Sequence, residues 1–464
     1  MTTPIPQPPA VPFLGNLFIV DLDNIWASVK TLAEKYGPIF QIKLPGKRAV
    51  FVANASLAEE VSDETRFRKS LKTPALQEIR TVVHDAIFAA YDDEPSWGIA
   101  HRIMAPAVAA SGDDMRVKQL QEMTSDLIAR WTASSGQCVN VTKDFERLNF
   151  QSIIYYFFGQ RFRYLEGPEP AILATMERFT WELSKRPSRP AILNMLFHDS
   201  RFRKDVEYLR KLSTDLIAAK KAEEVPKVDM LHALIFGKDP QTGESLNEER
   251  VVDEIITILT TGATTAAFVS WVMYFLLSNP EEMAKAREEI DTVLGPGDNI
   301  TAADINSKFP YCEAILQESL RLSAVVPGYI VEPVPSDDPS SDIMLANGKY
   351  KIPETQSITV YLGAVNRDPA VFEDPHAFHP ERMMGEAYDK LPAGVKKGWG
   401  NGKRACYGKR FAWQLSMIIL ISVLKDVNLE MTEKGYTLKH NGAFFQSPLE
   451  FFARVGPRRD MPTN

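Results

Sequence analysis

The residue best placed for chemistry in this chain is Cys406. It lies in the run Trp399-Gly400-Asn401-Gly402-Lys403-Arg404-Ala405-Cys406-Tyr407-Gly408, which leads into an apolar helical stretch from Phe411 to Leu424. Glycines at 400, 402 and 408 permit a tight, close-approaching backbone. No Gly or Pro follows between Lys409 and Gly435, so Cys406 is predicted just before a helix N-terminus. Outward N–H groups and the partly positive helix end stabilise an anion there. Lys403 and Arg404 add full charges, so a thiolate of lowered pKa is expected. Such a sulfur serves as nucleophile, zinc ligand or axial ligand to a haem iron; a lone cysteine is also commonly a small buried apolar residue. Zinc fits poorly, because the other cysteines are Cys138 and Cys312 and no C-x-x-C or C-x-x-C-H spacing occurs. Gly398 to Lys403 is not a phosphate loop: its spacing is short, and Arg404 stands where Ser or Thr would hold magnesium.

Other candidate groups depend on the elements that hold them. Trp97 and His101 share one face of a helix starting at Asp92-Asp93-Glu94-Pro95-Ser96, with Arg102 alongside; by residue type alone they read as a core pair. Arg66-Phe67-Arg68-Lys69 reads by itself as a solvated basic face. Glu318 and Arg321 stand at i, i+3 on a helix over 309–322, either as a surface pair worth a few tenths of a kcal/mol or as a buried, hydrogen-bonded pair. A long helix capped by Asn247 is predicted to run unbroken to Asn279-Pro280, with no charged side chain between Ile255 and Leu277. At roughly 48 Å it is long enough to cross a bilayer. However, Thr257, Thr260, Thr261, Thr264, Thr265 and Gly262 cluster in its middle, and it lacks the flanking basic asymmetry of a membrane span. It is expected to cross the core of a soluble domain, its hydroxyls lining a cavity.

Around these groups the predicted class is mostly α with a small β subdomain. Helices are expected over 24–36, 56–63, 113–133, 143–158, 169–184, 200–222 and 280–295. The β-rich part is expected near 38–53 (a hairpin turning at Pro45-Gly46-Lys47), 330–362 and 436–453 (a closing hairpin). With 464 residues and 45% hydrophobic content, a length prior suggests about three domains; no linker or repeat divides the chain, so one domain spanning 1–464 is expected. A net charge of −7 argues against a nucleic-acid binder. Three scattered cysteines suit a reducing compartment. The proline-rich start (Pro4, Pro6, Pro8, Pro9, Pro12) carries neither signal peptide nor anchor, so a soluble, cytoplasmic protein without a transmembrane anchor is expected.

Taken together, these residues resemble the cytochrome P450 superfamily of haem-thiolate enzymes. Within it the chain is similar to the haem domains of soluble, self-sufficient bacterial and fungal fatty-acid hydroxylases, which are fused to a flavin reductase. The cysteine run is similar to F-x-x-G-x-R-x-C-x-G, with Trp399 in place of Phe. Glu318 and Arg321 match E-x-x-R, and Arg382 in His379-Pro380-Glu381-Arg382 matches the arginine that completes that structural triad. The resemblance implies the P450-like fold and a haem b with Cys406 as axial ligand to iron, pushing electron density towards O–O cleavage. It also implies that Trp399, beside the sulfur, tunes it, that Gly400 belongs to the haem-binding loop, and that Arg404, Trp97, His101 and Lys69 contact the propionates. Phe88 would lie over the distal haem, Gly328 in the loop lining the substrate pocket, and Lys47 and Phe51 at the channel mouth.

One departure stands out. The family's A-G-x-[D/E]-T aligns with Thr260-Thr261-Gly262-Ala263-Thr264, so the threonine is kept and the acid is Ala263. Either the hydroxyls of Thr260, Thr261 and Thr264 with ordered water deliver protons at the oxygen pocket, or the enzyme follows a non-standard cycle, as an isomerase, a peroxide user or an oxidative cyclase. Lys396, Lys397, Lys403, Arg404, Lys409 and Arg410 crowd the cysteine side, a solvated face that would also steer an acidic flavin reductase. The resemblance therefore implies a monooxygenase inserting one oxygen atom from O2 into an apolar, fatty-acid-like or secondary-metabolite substrate. Its electrons would come from NADPH through the flavins of a partner or fused reductase. The rival from another class is a non-catalytic haem protein sensing a ligand. Gly456-Pro457-Arg458-Arg459-Asp460 is either a natural end or a boundary before a reductase domain.

Overall fold

The structure, a computed structural model, describes residues 2–21, 24–44, 46–109, 114–225, 227–295, 298–323, 325–336, 342–432, 439–440 and 445–458. Local signals set most helix starts. Asn24, Asn54, Asn140 and Asn247 each accept a backbone N–H three residues on, capping the helices Ile25–Tyr36, Ala55–Glu60, Val141–Phe158 and Glu248–Gly262; each such cap contributes about 1 kcal/mol. Pro74 and Pro280 open two more, where a missing N–H costs nothing.

Helices dominate the core. The helix Lys409–Asp426 is buried on nearly every side and packs against Asp114–Ala133, Thr264–Ser278 and Pro280–Val293. Its apolar side chains contribute about 1.5–3 kcal/mol each when fully buried, which fixes the cysteine loop that precedes it. The β elements gather beside this core. A five-stranded sheet runs in the order Ile39–Leu44, Lys47–Val52, Ile358–Tyr361, Gly328–Pro333, Phe67–Lys69. The expected hairpin is its first pair, with Pro45 outside the described residues. The sheet carries Lys69 on its last strand.

Two expectations are corrected. The long helix is interrupted at Ala263, giving Glu248–Gly262 and Thr264–Ser278. Three contacts explain the break: the Thr264 hydroxyl donates to the Thr261 carbonyl at 2.9 Å, Asn149 Nδ2 donates to the Gly262 carbonyl at 3.1 Å, and the Ala263 N–H turns back to the Thr261 carbonyl. Carbonyls drawn off the helix ladder in this way bend it. Of the most apolar window within Glu248–Ser278, 78% is buried in protein. The closing hairpin is also smaller than expected: only Lys439–His440 pairs with Pro448–Leu449, and residues 436–438 and 441–444 lie outside the described residues. Phe452–Pro457 instead joins a three-stranded sheet with Cys138–Asn140 and Val427–Met431.

Candidate active site

The cysteine loop is held by its own backbone. The Cys406 N–H donates to the Trp399 carbonyl at 2.7 Å and the Ala405 N–H to Gly402 at 3.0 Å. Gly400 and Gly402 have φ of +84° and +51°, where a Cβ is strained. At Gly402 it would also meet the Glu64 carboxylate at 2.0 Å; that carboxylate accepts the Lys403 N–H at 2.9 Å. The next helix begins at Lys409, as expected. The lowered thiol pKa does not follow. Cys406 keeps a solvent-reachable face, yet the protein crowded around it pushes its thiol up, only partly offset by the Gly408 N–H and Lys409. Lys403 and Arg404 are spent elsewhere: Lys403 pairs with Asp92 at 2.5 Å, and Arg404 donates to the carbonyls of Ala90 at 2.8 Å and Ile87 at 3.1 Å.

Arg404 nevertheless collects the residues named with it. Its guanidinium lies 5.2 Å over the Trp97 ring, Trp97 tilts against His101 at 5.1 Å, and His101 meets Tyr407 edge-on at 5.0 Å. Trp97 and His101 are half-buried, not a core pair. The Tyr407 hydroxyl donates to the His101 carbonyl at 2.9 Å, a tie between cysteine loop and helix Pro95–Ala109 that sequence reasoning missed. Lys69 donates to the Phe88 carbonyl at 2.6 Å and lies 3.9 Å over the Phe88 ring. Burial and the nearby Arg404 hold its pKa well below the usual lysine range, and burial lowers Arg404 to about 10.

These features test whether an anionic, sulfur-ligated cofactor fits. Among the described residues neither Lys69 nor Arg404 makes an ion pair, and the buried Trp399 Nε1–H has no acceptor. A buried donor without a partner, as at Trp399, is costly, and Lys69 and Arg404, bonded to carbonyls alone, keep uncompensated charges that repel. An anionic group satisfying them beside a reachable sulfur fits this donor set.

Ile79, Val83, Phe88, Phe179, Thr257, Thr260 and Thr261 line one small pocket. The hydroxyls of Thr260 and Thr261 donate to carbonyls four residues back, each at 2.7 Å, while the buried Thr257 hydroxyl is unpartnered. Ala263 is buried at the break. Three named residues do not line this pocket. Phe51 is buried, paired across the first hairpin with Phe40 and stacked on it at 5.1 Å; Lys47 is exposed at that strand's outer end. Gly328 sits against Ile358–Tyr361, where a Cβ would meet the Val360 carbonyl at 2.4 Å, so close packing explains that glycine.

The pair Glu318 and Arg321 takes the buried alternative. Arg321 Nε and Nη2 donate to the Glu318 carboxylate at 2.7 and 2.8 Å. Arg382 reaches the same carboxylate only at 3.5 Å and donates instead to the Glu373 carbonyl at 2.8 Å.

Buried cations and a free indole N–H in and beside the cysteine loop, inside a mainly helical fold with a side sheet, fit a protein that holds an anionic, sulfur-ligated cofactor. The chain belongs to the cytochrome P450 family, whose model matches residues 5–452, and the family's cofactor is a cysteine-ligated haem. It is 33% identical to a bifunctional cytochrome P450/NADPH–P450 reductase of Aspergillus oryzae, over 99% of this chain and 42% of that protein. It is 32% identical to a self-sufficient cytochrome P450 monooxygenase of Phanerodontia chrysosporium, over 100% of this chain and 43% of that protein. The chain thus spans less than half the length of these relatives. The crystal structure of the cytochrome P450DA heme domain superposes with a TM-score of 0.89 at 27% identity, covering 99% of both chains.

Proposed function

We propose that these 464 residues form one haem domain of a monooxygenase, placing a single oxygen atom from O2 into a C–H bond of an apolar, fatty-acid-like substrate. The observation that carries this is the pair of buried cations without an ion-pair partner among the described residues, Arg404 in the cysteine loop and Lys69 over the Phe88 ring, with Phe88 also walling the pocket of the threonine-bearing helix. When bound, a thiolate-ligated haem supplies oxygen activation. Cys406 would hold the iron, Arg404 and Lys69 the carboxylates with Trp97 and His101 beside them, and Trp399 would donate its free N–H towards the sulfur. The apolar wall of Ile79, Val83, Phe88 and Phe179 excludes water and favours a hydrocarbon chain. Electrons from NADPH would arrive through a reductase on the cysteine side, where Lys403, Lys409 and Arg410 are exposed. The self-sufficient relatives support such a donor. Product analysis with NADPH and a generic reductase, against fatty acids and neutral apolar metabolites, tests the reading. Spectral binding without oxygenated product from any of them would overturn it.

Proton handling is where this chain departs from the family motif it resembles. Thr264 donates its hydroxyl hydrogen to Thr261, so it must rotate off that carbonyl before it can pass a proton into the pocket. Ala263→Asp places an acid beside it, and the share of NADPH electrons recovered in oxygenated product is expected to rise. An unchanged share would show that the missing acid does not limit coupling. Turnover with peroxide but not with NADPH would favour the non-standard cycle.

A further inference from the structure

The loop 84–94, between the helices Pro74–Val83 and Pro95–Ala109, carries Phe88 and is tied down by charged side chains from every direction. Asp253 pairs with His84 at 2.8 Å and with Arg210 at 2.9 Å. Arg250 pairs with Asp85, and Arg80 donates to the Ala89 carbonyl at 2.8 Å. Ile87 is gripped on both sides: its N–H donates to the Glu254 carboxylate at 3.0 and 3.2 Å, and its carbonyl accepts from Arg404 at 3.1 Å. Glu254 is fully buried on the helix face that also carries Thr257 and Thr261, three and seven residues on.

We propose that Glu254 is the positioning residue of the distal pocket: by holding the Ile87 amide while Arg404 holds the Ile87 carbonyl, it sets where the Phe88 ring stands and couples that ring to the cofactor-side guanidinium. A fully buried carboxylate is costly unless hydrogen-bonded, and among the described residues its partners are the Ile87 amide and Arg250 at 3.2 Å. Loss of this anchor frees the Ala86–Ile87 peptide, one peptide before Phe88, and leaves Arg404 on the Ile87 carbonyl and Lys69 on the Phe88 carbonyl to hold that stretch alone. Burial pushes Glu254 up to about 7, so its charge changes near neutrality. The groups facing it are Arg250 and Asp253 on its own helix, His84 and Asp85 on the loop, Tyr407 on the cysteine loop, and Arg210 through Asp253.

The test compares holoenzymes of the wild type, Glu254→Gln and Glu254→Leu. Hydrogen exchange of peptides covering 84–91 reads the anchor itself. Exchange in Glu254→Leu is expected to be roughly 10- to 100-fold faster, the range for losing a hydrogen bond to a charged group, while Glu254→Gln, which keeps an acceptor oxygen, retains most of the protection. Optical titration with 1-decanol, a neutral probe, should show affinity changing across pH 6–8 in the wild type and flat in Glu254→Gln. Product positions from dodecanoic acid should shift in Glu254→Leu. Only this last arm rests on the monooxygenase reading, so a chain that forms no product leaves the exchange and titration arms decisive. Unchanged 84–91 exchange in Glu254→Leu overturns the proposal. If that variant does not fold, a wild-type pH profile retained in Glu254→Gln overturns it.

Discussion

Cys406→Ser is expected to abolish both the long-wavelength carbon monoxide difference band of a thiolate-bound haem and all product formation, while leaving the fold intact. The separation is possible because the loop is built from its backbone: Cys406 N–H to Trp399, Ala405 N–H to Gly402, Asn401 Nδ2 to the Ser62 carbonyl at 2.7 Å. None of these uses the sulfur, and Ser has nearly the volume of Cys. The thiol is moreover pushed up by its surroundings, so nothing in the protein alone demands an anion at that point; the charge belongs to the metal-bound state, since a coordinating thiol is deprotonated by the cation. A serine oxygen is a harder and weaker donor, and it removes the electron push that favours O–O cleavage. The measurement pairs the reduced carbon monoxide spectrum with total haem content and melting temperature. A serine variant that kept the thiolate band would sink the ligand assignment, and one that lost its melting transition would show the side chain to be structural.

Local features of this fold could be read directly from the sequence. The asparagine cap at 247 and the glycines at 400 and 402 announce themselves by residue type, so that helix start and the cysteine loop fall where expected. What sequence reading missed depends on partners far along the chain. The break at Ala263 needs Asn149 from another helix, and at Gly262 the Ile153 side chain comes so near that a Cβ would meet it at 2.6 Å. The thiol's direction of shift is set by tertiary burial, which no local pattern of glycines and lysines reports. Phe51 stacks on Phe40 across the first hairpin, a contact that the resemblance does not report. Glu254 did carry a signal: with Asp253 it is the last acid before the uncharged run beginning at Ile255. A charge at the edge of such a run is either solvated or held, and only the loop packed over it decides between the two.

Arg321→Ala is expected to cost about 3–5 kcal/mol, the range for stripping one partner from a buried ion pair, and to lower haem retention with it. Glu318 is 0% exposed and Arg321 4%, so the carboxylate left behind has no water to turn to. Arg382 replaces the lost partner only in part: its Nε stands 3.5 Å from the carboxylate, while its Nη1 is committed to the Glu373 carbonyl. More is lost than the pair, because Arg321 also donates to the carbonyls of Asn366 at 2.9 Å, Pro375 at 2.7 Å and Ala377 at 3.1 Å. Glu318 in turn accepts the His379 N–H at 3.0 Å. This sets the pair apart from those that apolar residues replace without loss. Glu318→Leu combined with Arg321→Met removes both charges but orphans those backbone groups, so the double variant is expected to remain destabilised. Arg321→Lys, keeping the charge without the planar fork, should fall between wild type and Arg321→Ala. The consequence for the site follows from packing: on the same helix Leu320 lies so near Gly398 that a Cβ there would meet it at 2.7 Å, which places the triad's helix directly beneath the start of the cysteine loop. Loosening it should let haem dissociate at temperatures where the wild type holds it, read as Soret loss preceding the helical melt in Arg321→Ala. Coincident transitions at the wild-type temperature would show that the buried pair neither stabilises the fold nor supports the loop.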